Sequence, residues 1–277
     1  MATVVYVHAH PDDEASQTSG AMARLARTGH RVVVAYGTNG DHGEVPDDLG
    51  DETLTAYRRR EAEASAQVTG VQRVAWLGYS DSGMTGWAQN DDGSSFHKAP
   101  LDEAARRLAD ILDEEDADVV VGYDWHGSYG HPDHVKVHHV TRRAAELARR
   151  RPRLLESTMS RDHLRGLFQL AKAAGMDGPD GPEGRDGMDA GWDPDQPMDD
   201  GNPFGMPESE LHYRVDVRDL IEVKRAALAC HMSQKSDIGS FLSMPIELFA
   251  AGFGYEFYLE PGRPPGMVDA FPFDEID

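Results

Sequence analysis

The sequence has little cysteine, few basic residues and no long apolar run. Its single cysteine, Cys230, excludes an internal disulfide and is typical of a reducing compartment. Lys and Arg total 27 against 49 Asp and Glu, which gives a formal net charge of −22. This excess argues against nucleic acid or an anionic membrane as a partner, because both need a basic face. No apolar stretch approaches the roughly 18–20 residues of a membrane span.

The length of the chain suits one sizeable α/β domain. We expect the 277 residues to form a single domain over 1–277. The first residues, MATVVYVHAH, have no basic segment and no cleavage site, so they predict a first strand rather than a signal peptide. Together with the lone cysteine, this predicts a cytoplasmic protein.

Short runs of β-branched residues alternate with helical patterns along much of the chain. The runs that predict strands are TVVYV, RVVVAYG, RVAWLG and DVVVGY, at 3–7, 31–37, 73–78 and 118–123. Continuous apolar runs of this length are typical of strands buried on both faces of a parallel sheet. Helical periodicity lies between them, at 15–29, 54–70 and 101–116. The alternation predicts a Rossmann-like α/β fold, with a mostly parallel sheet and flanking helices.

Residues 175–210 interrupt this alternation. They are rich in Gly, Pro and Asp and keep neither a helical nor a strand period. The composition predicts an irregular, flexible insertion within the domain. Trp192, Met198 and Phe204 keep open the alternative of a lid that orders over a site. After the insertion, ELHYRVDV predicts a strand, RDLIEVKRAALACHM predicts an amphipathic helix, and YEFYLE predicts the last strand.

The first polar cluster is HAHPDDEAS at 8–16, directly after the first predicted strand. In open α/β sheets, ligands bind beyond the carboxyl ends of the strands. His10 and a neighbouring Asp offer the nitrogen and oxygen ligands that Zn²⁺ accepts. The alternative is structural, with Asp12 or Asp13 capping a helix and Glu14 interacting with the helix dipole. That alternative leaves the flanking histidines unexplained.

The second polar cluster is DWHGSYGHPDHVKVHH at 124–139, again after a predicted strand. Pro132 is tolerated only in the first turn of a helix, so His131 and His134 can point from a helix N-terminus into one crevice. His134 and His138 have the spacing of a zincin helix, but no Glu follows His134, and His138 is expected to pack or to face solvent. Clusters at two strand exits together predict a catalytic zinc site with three protein ligands.

HAHPDDE and GHPDH resemble motifs of the PIG-L/LmbE-like family of metal-dependent N-deacetylases. Members of this family remove acetyl groups from N-acetylglucosamine-containing molecules or cleave related amides. YRRRE at 57–61 is similar to a helix start of the family. DSGM at 81–84 and HMSQ at 231–234 are similar to its actinobacterial, mycothiol-pathway branch. The segment 175–210 matches none of these motifs.

The resemblance implies a division of labour in the first cluster. By the family pattern, His10 and Asp13 bind the metal with His134, and Asp12 is the general base. The chemistry agrees with this division, since a ligating Asp13 has its charge committed to the cation. Asp12 can then take a proton from water, whose pKa a zinc ion lowers toward about 7.

The second cluster is expected to contribute to the transition state. His131 and Tyr129 are the candidates that stabilise the developing oxyanion together with the metal. His131, when protonated and oriented by Asp133, is also a candidate for delivering a proton to the departing amine. For Tyr129 the alternative is an ordinary aromatic residue in a turn.

Four further residues are expected to bind the substrate. Arg58 and Asp81 match family positions that hold sugar hydroxyls or a cyclitol, and Arg58 suits bidentate contacts. Its alternative is a surface pair with a glutamate of the same helix. Glu44 and Met84 are expected to line the same pocket. His231 either approaches the site from the last predicted helix or is a core histidine with its hydrogen bonds satisfied, and the sequence leaves both open.

The sequence therefore predicts a hydrolase that removes an N-acyl group, foremost acetyl, from an N-acetylglucosamine-type amino sugar. With the same site, the alternative is an amidase that acts on mycothiol-like thiol conjugates. A nucleotide-binding module is disfavoured because no G-x-G-x-x-G or P-loop follows the first strand. A non-catalytic metal protein is disfavoured by Asp12. The expected cofactor is Zn²⁺, with Fe²⁺ as an alternative, and the expected partner is a small molecule, with homo-oligomerisation left open.

Overall fold

A central sheet of eight strands organises the protein in its computed structural model, which describes residues 1–173, 193–198, 200–274 and 276. In chain order the strands are β1 Thr3–His8, β2 Arg31–Thr38, β3 Arg73–Tyr79, β4 Val119–Tyr123, β5 Arg153–Thr158, β6 Tyr213–Asp216, β7 Tyr255–Leu259 and β8 Val268–Asp269. Their order across the sheet is β3-β2-β1-β4-β5-β7-β6-β8. The first five strands run parallel, β7 is antiparallel to its neighbours β5 and β6, and β8 is parallel to β6.

Helices connect the strands and cover the sheet. In chain order they are α1 Asp13–Gln17, α2 Ser19–Arg27, α3 Leu54–Thr69, α4 Leu101–Glu114, α5 Pro132–Leu147, α6 Arg161–Ala173, α7 Ile221–Leu228, α8 Lys235–Ser243 and α9 Ile246–Phe253. The predicted α/β class, a mostly parallel sheet with flanking helices, is confirmed. Across the described residues, no helix combines the length and apolar character that a bilayer span needs.

Both faces of the sheet are buried. Val5 of β1 packs with Leu108 of α4 on one face, whereas its neighbour Val4 packs with Met22 of α2 on the other. Successive residues of a strand point to opposite faces, so a strand between two helical layers needs an unbroken apolar run. This is why the β-branched runs were sufficient to predict the inner strands β1, β2 and β4, whereas β3 lies at the edge of the sheet and is only partly buried.

The strand order places the two polar clusters at one crevice. β1 lies between β2 and β4, and the chain leaves β1 on one side toward β2 and reaches β4 on the other. This reversal is the switch point at which open α/β sheets bind ligands. The cluster at 8–16 follows β1 and the cluster at 124–139 follows β4.

Two strands escape prediction. β5 has the sequence RLLEST, and its last three residues are polar but buried. Glu156 binds the Arg142 guanidinium at 2.7 Å, which satisfies a carboxylate that the local sequence would place in solvent. β8 has two exposed residues and follows YEFYLE, so YEFYLE forms the penultimate strand rather than the last.

Two predicted helices are shorter than their patterns. The segment 15–29 breaks at Thr18, whose hydroxyl lies 2.9 Å from Nε2 of His8, and this separates α1 from α2. The segment 218–232 forms a 3₁₀ turn and then α7, which ends at Leu228. His231 therefore lies in a turn beyond the helix, where its side chain is free to point back toward the sheet.

Candidate active site

Three predicted metal ligands converge at the carboxyl edge of β1 and β4. His10, Asp13 and His134 each offer a ligand atom, and these atoms lie within 4.8 Å of one another. Nε2 of His134 is 3.4 Å from Oδ1 of Asp13, and Nδ1 of His10 is 3.5 Å from Oδ2 of Asp13. The structure thus brings residues from both clusters to a common point.

The hydrogen bonds of the two rings suit a bound cation. Nδ1 of His134 lies 3.2 Å from the carbonyl oxygen of Gly127, and Nε2 of His10 lies 3.2 Å from Oδ2 of Asp133. Neither a carbonyl nor a carboxylate can donate, so each of these nitrogens carries the hydrogen. The other nitrogen of each ring faces Asp13, and it offers a lone pair when the ring is neutral. A divalent cation requires such a donor set, with each imidazole oriented by a second partner.

The pKa shifts in the cluster also favour a bound cation. Burial lowers the pKa of His10, but the carboxylates of Asp81, Asp13 and Asp133 outweigh it and hold that pKa well above its ordinary value. Burial raises the pKa of Asp13, but His134 and His10 outweigh it and hold that pKa well below its usual range. The site concentrates negative charge in a buried place, and a divalent cation would neutralise it.

Asp12, next to the ligand Asp13, has an unusual backbone, with φ 136° and ψ −30°. Glycine adopts this region readily, whereas for another residue this conformation costs about 1–3 kcal/mol. The Asp12 carboxylate accepts a hydrogen bond from Nη2 of Arg58 at 2.9 Å, and its side chain remains 23% exposed. Burial raises the pKa of Asp12 to about 7, against the opposing charge of Arg58 and with the help of Asp13. A reachable carboxylate that titrates near neutrality is suited to proton transfer.

Arg58 is buried beneath Asp12 rather than directed into open space. Its guanidinium donates to the carbonyl oxygens of Gly40, at 2.9 Å, and Pro11, as well as to Asp12. In this structure it contacts the chain itself, and the expected bidentate contacts to a sugar stay a prediction. It does not form the alternative surface pair with a glutamate of α3, because its side chain is almost fully buried.

His131 is the N-cap of α5 and accepts the Asp133 N–H at its Nδ1, at 3.1 Å. That hydrogen bond requires a lone pair on Nδ1, so the hydrogen of the neutral ring is on Nε2. Burial, with the neighbouring His10 and His134, lowers the pKa of His131 to about 3. The structure thus presents a neutral hydrogen-bond donor. This differs from the expectation of a protonated His131 that delivers a proton.

The carboxylate of Asp133 hydrogen-bonds to Ser82 and His10 rather than to His131. Its oxygens accept the N–H of Ser82 at 2.8 Å, the Ser82 hydroxyl, and Nε2–H of His10. The hydrogen bond between Asp133 and His131 comes from the Asp133 backbone N–H, and orientation of His131 by the carboxylate stays a prediction. Asp81 lies beside them, 3.5 Å from Nε2 of His10, and accepts the Gly83 N–H at 2.8 Å. Ser82 was missed in the sequence, although it lies within the DSGM motif.

The other expected site residues lie at different distances from the cluster. The Tyr129 hydroxyl is 3.4 Å from Nε2 of His134, so it reaches the ligands. Glu44 faces α8 instead, where its carboxylate accepts the Ser236 N–H at 2.9 Å. Met84 is half-buried in the loop after β3, two residues beyond Ser82.

Part of the predicted insertion packs against the loop that carries Tyr129. Of 175–210, the described residues are 193–198 and 200–210, and Trp192 lies outside them. The Phe204 ring stacks on Tyr129 with 6.4 Å between centroids, and the Gly205 N–H donates to the Ser128 carbonyl at 2.7 Å. The alternatives of spectator and lid stay predictions, but the end of the segment contacts the site.

His231 has its nearest partner in the first cluster. It is fully buried, and its Nε2 is 2.7 Å from Oε1 of Glu14. The same oxygen accepts the Ser65 hydroxyl at 2.6 Å. Both partners were missed as site residues. Glu14 belongs to the HPDDE motif, which was the available signal, whereas nothing in the local sequence marks Ser65.

Comparisons with known proteins show what this chain is similar to. The model of the PIG-L family, described as GlcNAc-PI de-N-acetylase, matches residues 5–145. The 1D-myo-inositol 2-acetamido-2-deoxy-α-D-glucopyranoside deacetylase of Acidothermus cellulolyticus is 34% identical over 272 residues, covering 94% of this chain and 88% of the relative. Its counterpart in Thermomonospora curvata is 32% identical over 288 residues, covering 96% and 93%.

Solved structures share the fold at lower identity. N,N'-diacetylchitobiose deacetylase from Pyrococcus horikoshii has a TM-score of 0.56 and 22% identity, covering 93% of this chain and 82% of that protein. A 4-carboxy-2-hydroxymuconate hydratase from Pseudomonas putida has a TM-score of 0.54 and 16% identity, covering 98% and 100%. One fold thus carries a deacetylase and a hydratase, so the fold alone does not determine the reaction.

Proposed function

The chain belongs to the PIG-L family, and we propose that it hydrolyses the N-acetyl amide of a 2-acetamido-2-deoxy-α-D-glucopyranoside carried on inositol. It is an N-deacetylase of N-acetylglucosamine-type amino sugars, and the relatives that cover almost all of the chain act on this inositol conjugate by name. The products are acetate and the free amine. The observation that carries the proposal is the convergence of His10, Asp13 and His134 beside the partly exposed Asp12.

His10, Asp13 and His134 would hold the metal, for which we propose Zn²⁺, with Fe²⁺ as the alternative. A divalent ion bound there supplies a Lewis acid that polarises the amide carbonyl and acidifies water. Support comes from the two imidazoles, since Nδ1 of His10 and Nε2 of His134 face Asp13 while their other nitrogens are fixed by Asp133 and Gly127. This arrangement orients the ligands before any ion arrives.

Asp12 takes the proton of the attacking water in this proposal. Its carboxylate is exposed on one side and held by Arg58 on the other, so it can accept a proton without leaving its place. The departing amine needs one proton, and Asp12 returns the one it took, so no second acid is required. The neutral His131 supports this scheme with a single acid and base, because its Nδ1 already accepts the Asp133 N–H.

His131 and Tyr129 stabilise the charge that develops on the carbonyl oxygen. The Nε2–H of His131 and the hydroxyl of Tyr129 are donors at the ligand cluster. Donors that are fixed before reaction are worth more than mobile ones, since no reorganisation is needed in the transition state. His131 is fixed by capping α5, and Tyr129 by its loop and by Phe204.

A product screen tests the proposal. Protein loaded with Zn²⁺ or Fe²⁺ is incubated with the inositol conjugate, with N-acetylglucosamine and with a thiol conjugate of the cysteinyl-amide type, and acetate and free amine are measured. We expect acetate from the inositol conjugate, and neither activity nor stoichiometric metal in His134→Ala. Preferential cleavage of the thiol conjugate would instead identify an amidase. Absence of acetate from every substrate, with metal bound, would contradict the proposed function.

A further inference from the structure

Glu14 and His231 form a buried polar pair to which the proposed chemistry assigns no role. Both side chains are almost fully shielded from solvent, and Nε2–H of His231 donates to Oε1 of Glu14 at 2.7 Å. The other ring nitrogen of His231 is buried and has no hydrogen-bond partner among the residues that the structure describes. The bond to Glu14 is therefore the polar contact that orients this ring.

Glu14 also contacts Asp12, the proposed base. Its second oxygen, Oε2, accepts the backbone N–H of Asp12 at 3.0 Å. Ser65 of α3 also donates to Oε1, at 2.6 Å. The turn that carries His231 is itself anchored to α3, because the Ser233 hydroxyl and N–H both donate to Glu61. One carboxylate thus joins the turn after α7, helix α3 and the peptide of Asp12.

The backbone of Asp12 needs such support. Its φ of 136° lies in the region that favours glycine, and a free aspartate would leave it. Asp12 is held at three points, its N–H by Glu14, its carboxylate by Arg58 and its carbonyl oxygen by the Ala15 N–H at 3.0 Å. If the peptide relaxed, the carboxylate would move relative to the adjacent ligand Asp13.

We infer that His231 is a positioning residue for the deacetylase, which acts through Glu14 to hold the strained backbone of Asp12 and thereby to aim its carboxylate. The inference rests on the proposed function, since it takes Asp12 as the base. It gives a role to the HMSQ segment, whose histidine lies 217 positions from Glu14 in the chain. His231 itself contacts neither the ligand cluster nor the carboxylate of Asp12 through a hydrogen bond.

Two substitutions of His231 distinguish the loss of its hydrogen-bond donor from the loss of its ring volume. His231→Leu removes the donor, and we expect kcat on the inositol conjugate to fall by roughly 10–100-fold, with KM changed by less than about twofold, because a small misplacement of a catalytic group is costly. Metal content per chain should stay at the wild-type value. His231→Gln carries an amide N–H near the position of Nε2 and should restore kcat to within about threefold of wild type.

A matched control separates positioning from stability. His212, at the start of β6, is also buried, and its Nδ1 accepts the Glu260 N–H at 2.9 Å. His212→Leu should lower Tm as His231→Leu does, while kcat measured well below Tm stays unchanged. A loss of stability without a loss of kcat in His231→Leu would overturn the inference, as would loss of metal from that variant.

The decisive measurement is a double-mutant cycle with Asp12→Asn. If His231 acts through Asp12, His231→Leu should lower the residual kcat of Asp12→Asn by less than about twofold. The substituted amide cannot act as a base, so a change in its position lowers kcat no further. Additive losses would overturn the inference. If Asp12→Asn alone kept full kcat, the proposed function itself would lose its base, and that outcome is distinct from failure of the cycle.

Discussion

The Nε2–H of His10 donates to Oδ2 of Asp133 at 3.2 Å, across 123 positions of the chain. Asp133 is completely buried, and Ser82 donates its N–H and its hydroxyl to the same carboxylate. The hydrogen bonds from Ser82 therefore fix the carboxylate independently of His10. Its contact turns the Nδ1 lone pair of His10 toward Asp13, so α5 orients a ligand that belongs to the loop after β1.

Asp133→Asn should weaken metal binding while the ligands themselves remain. An amide can donate as well as accept, so the ring of His10 loses its fixed orientation, and we expect the affinity to fall by roughly 10–100-fold. Competition with a chromophoric chelator measures this. Asp118→Asn is the control, because Asp118 accepts the Thr3 N–H at the opposite end of β1. Equal affinities in wild type and Asp133→Asn would exclude the orienting role.

Asp12→Asn should keep the metal and lose turnover. The amide has the shape of the carboxylate and its oxygen can still accept from Arg58, but it cannot take a proton at neutral pH. We expect kcat to fall by roughly 10²–10⁴-fold, the usual weight of a general base. Acetate release gives kcat, and elemental analysis gives metal per chain. A parallel loss of metal would make Asp12 a ligand instead.

His131→Asn separates two functions of one side chain. Asparagine is a good N-cap, so its oxygen can accept the Asp133 N–H that Nδ1 accepts now, whereas the donor at Nε2 disappears. We expect kcat and kcat/KM to fall together by roughly 10²–10³-fold, with little change in Tm. Tyr129→Phe should act in the same direction. A higher KM with intact kcat would identify binding residues rather than oxyanion donors.

Lys224→Met should destabilise the fold without touching the site. The ammonium of Lys224 is paired with Glu256, and both side chains are only 1% exposed. Glu256 also accepts the N–H groups of Gly20 and Ala21 at the start of α2, at 2.9 and 3.0 Å. Removing the cation leaves a buried carboxylate without its counter-ion, which costs about 3–5 kcal/mol. Urea unfolding measures the loss, and adding Glu256→Gln should recover part of it. No recovery in the double variant would contradict this account.

Glu260 should contribute stability that depends on pH. The Arg153 guanidinium, with Tyr213, lowers the pKa of Glu260 from 4.5 to about 2. Because the folded pKa lies below the unfolded one, the contribution is complete above about pH 5 and is lost as the pH falls from about 4.5 toward 2.

The comparison of wild type with Glu260→Gln isolates this effect from the other acids. We expect a difference in the free energy of unfolding of roughly 1–2 kcal/mol at pH 6.5, since charge-assisted hydrogen bonds are worth about that much. The difference should shrink steadily between pH 5 and 3. A difference that stays constant over that interval would show that the carboxylate charge is not what stabilises the contact.

Some features of the fold and site could be predicted from contiguous residues. The runs at 3–7, 31–37 and 118–123 predicted β1, β2 and β4 because a strand buried on both faces must be apolar at every position, whereas the run at 73–78 predicted the partly buried edge strand β3. β5 could not be predicted in this way, since its buried Glu156 is compensated by Arg142 on another element. A local pattern does not reveal a partner that arrives from elsewhere.

The sequence by itself determined that two clusters of His and Asp follow two buried strands, and the topology of parallel sheets places such exits at one edge. Tertiary structure alone decided how each side chain is used there. Arg58 turns under Asp12, Asp133 turns to His10, and His231 reaches Glu14 from the far end of the chain. Each direction depends on how helices dock on the sheet and on which buried donor needs an acceptor. Those contacts join residues that are far apart in sequence, so no local spacing encodes them.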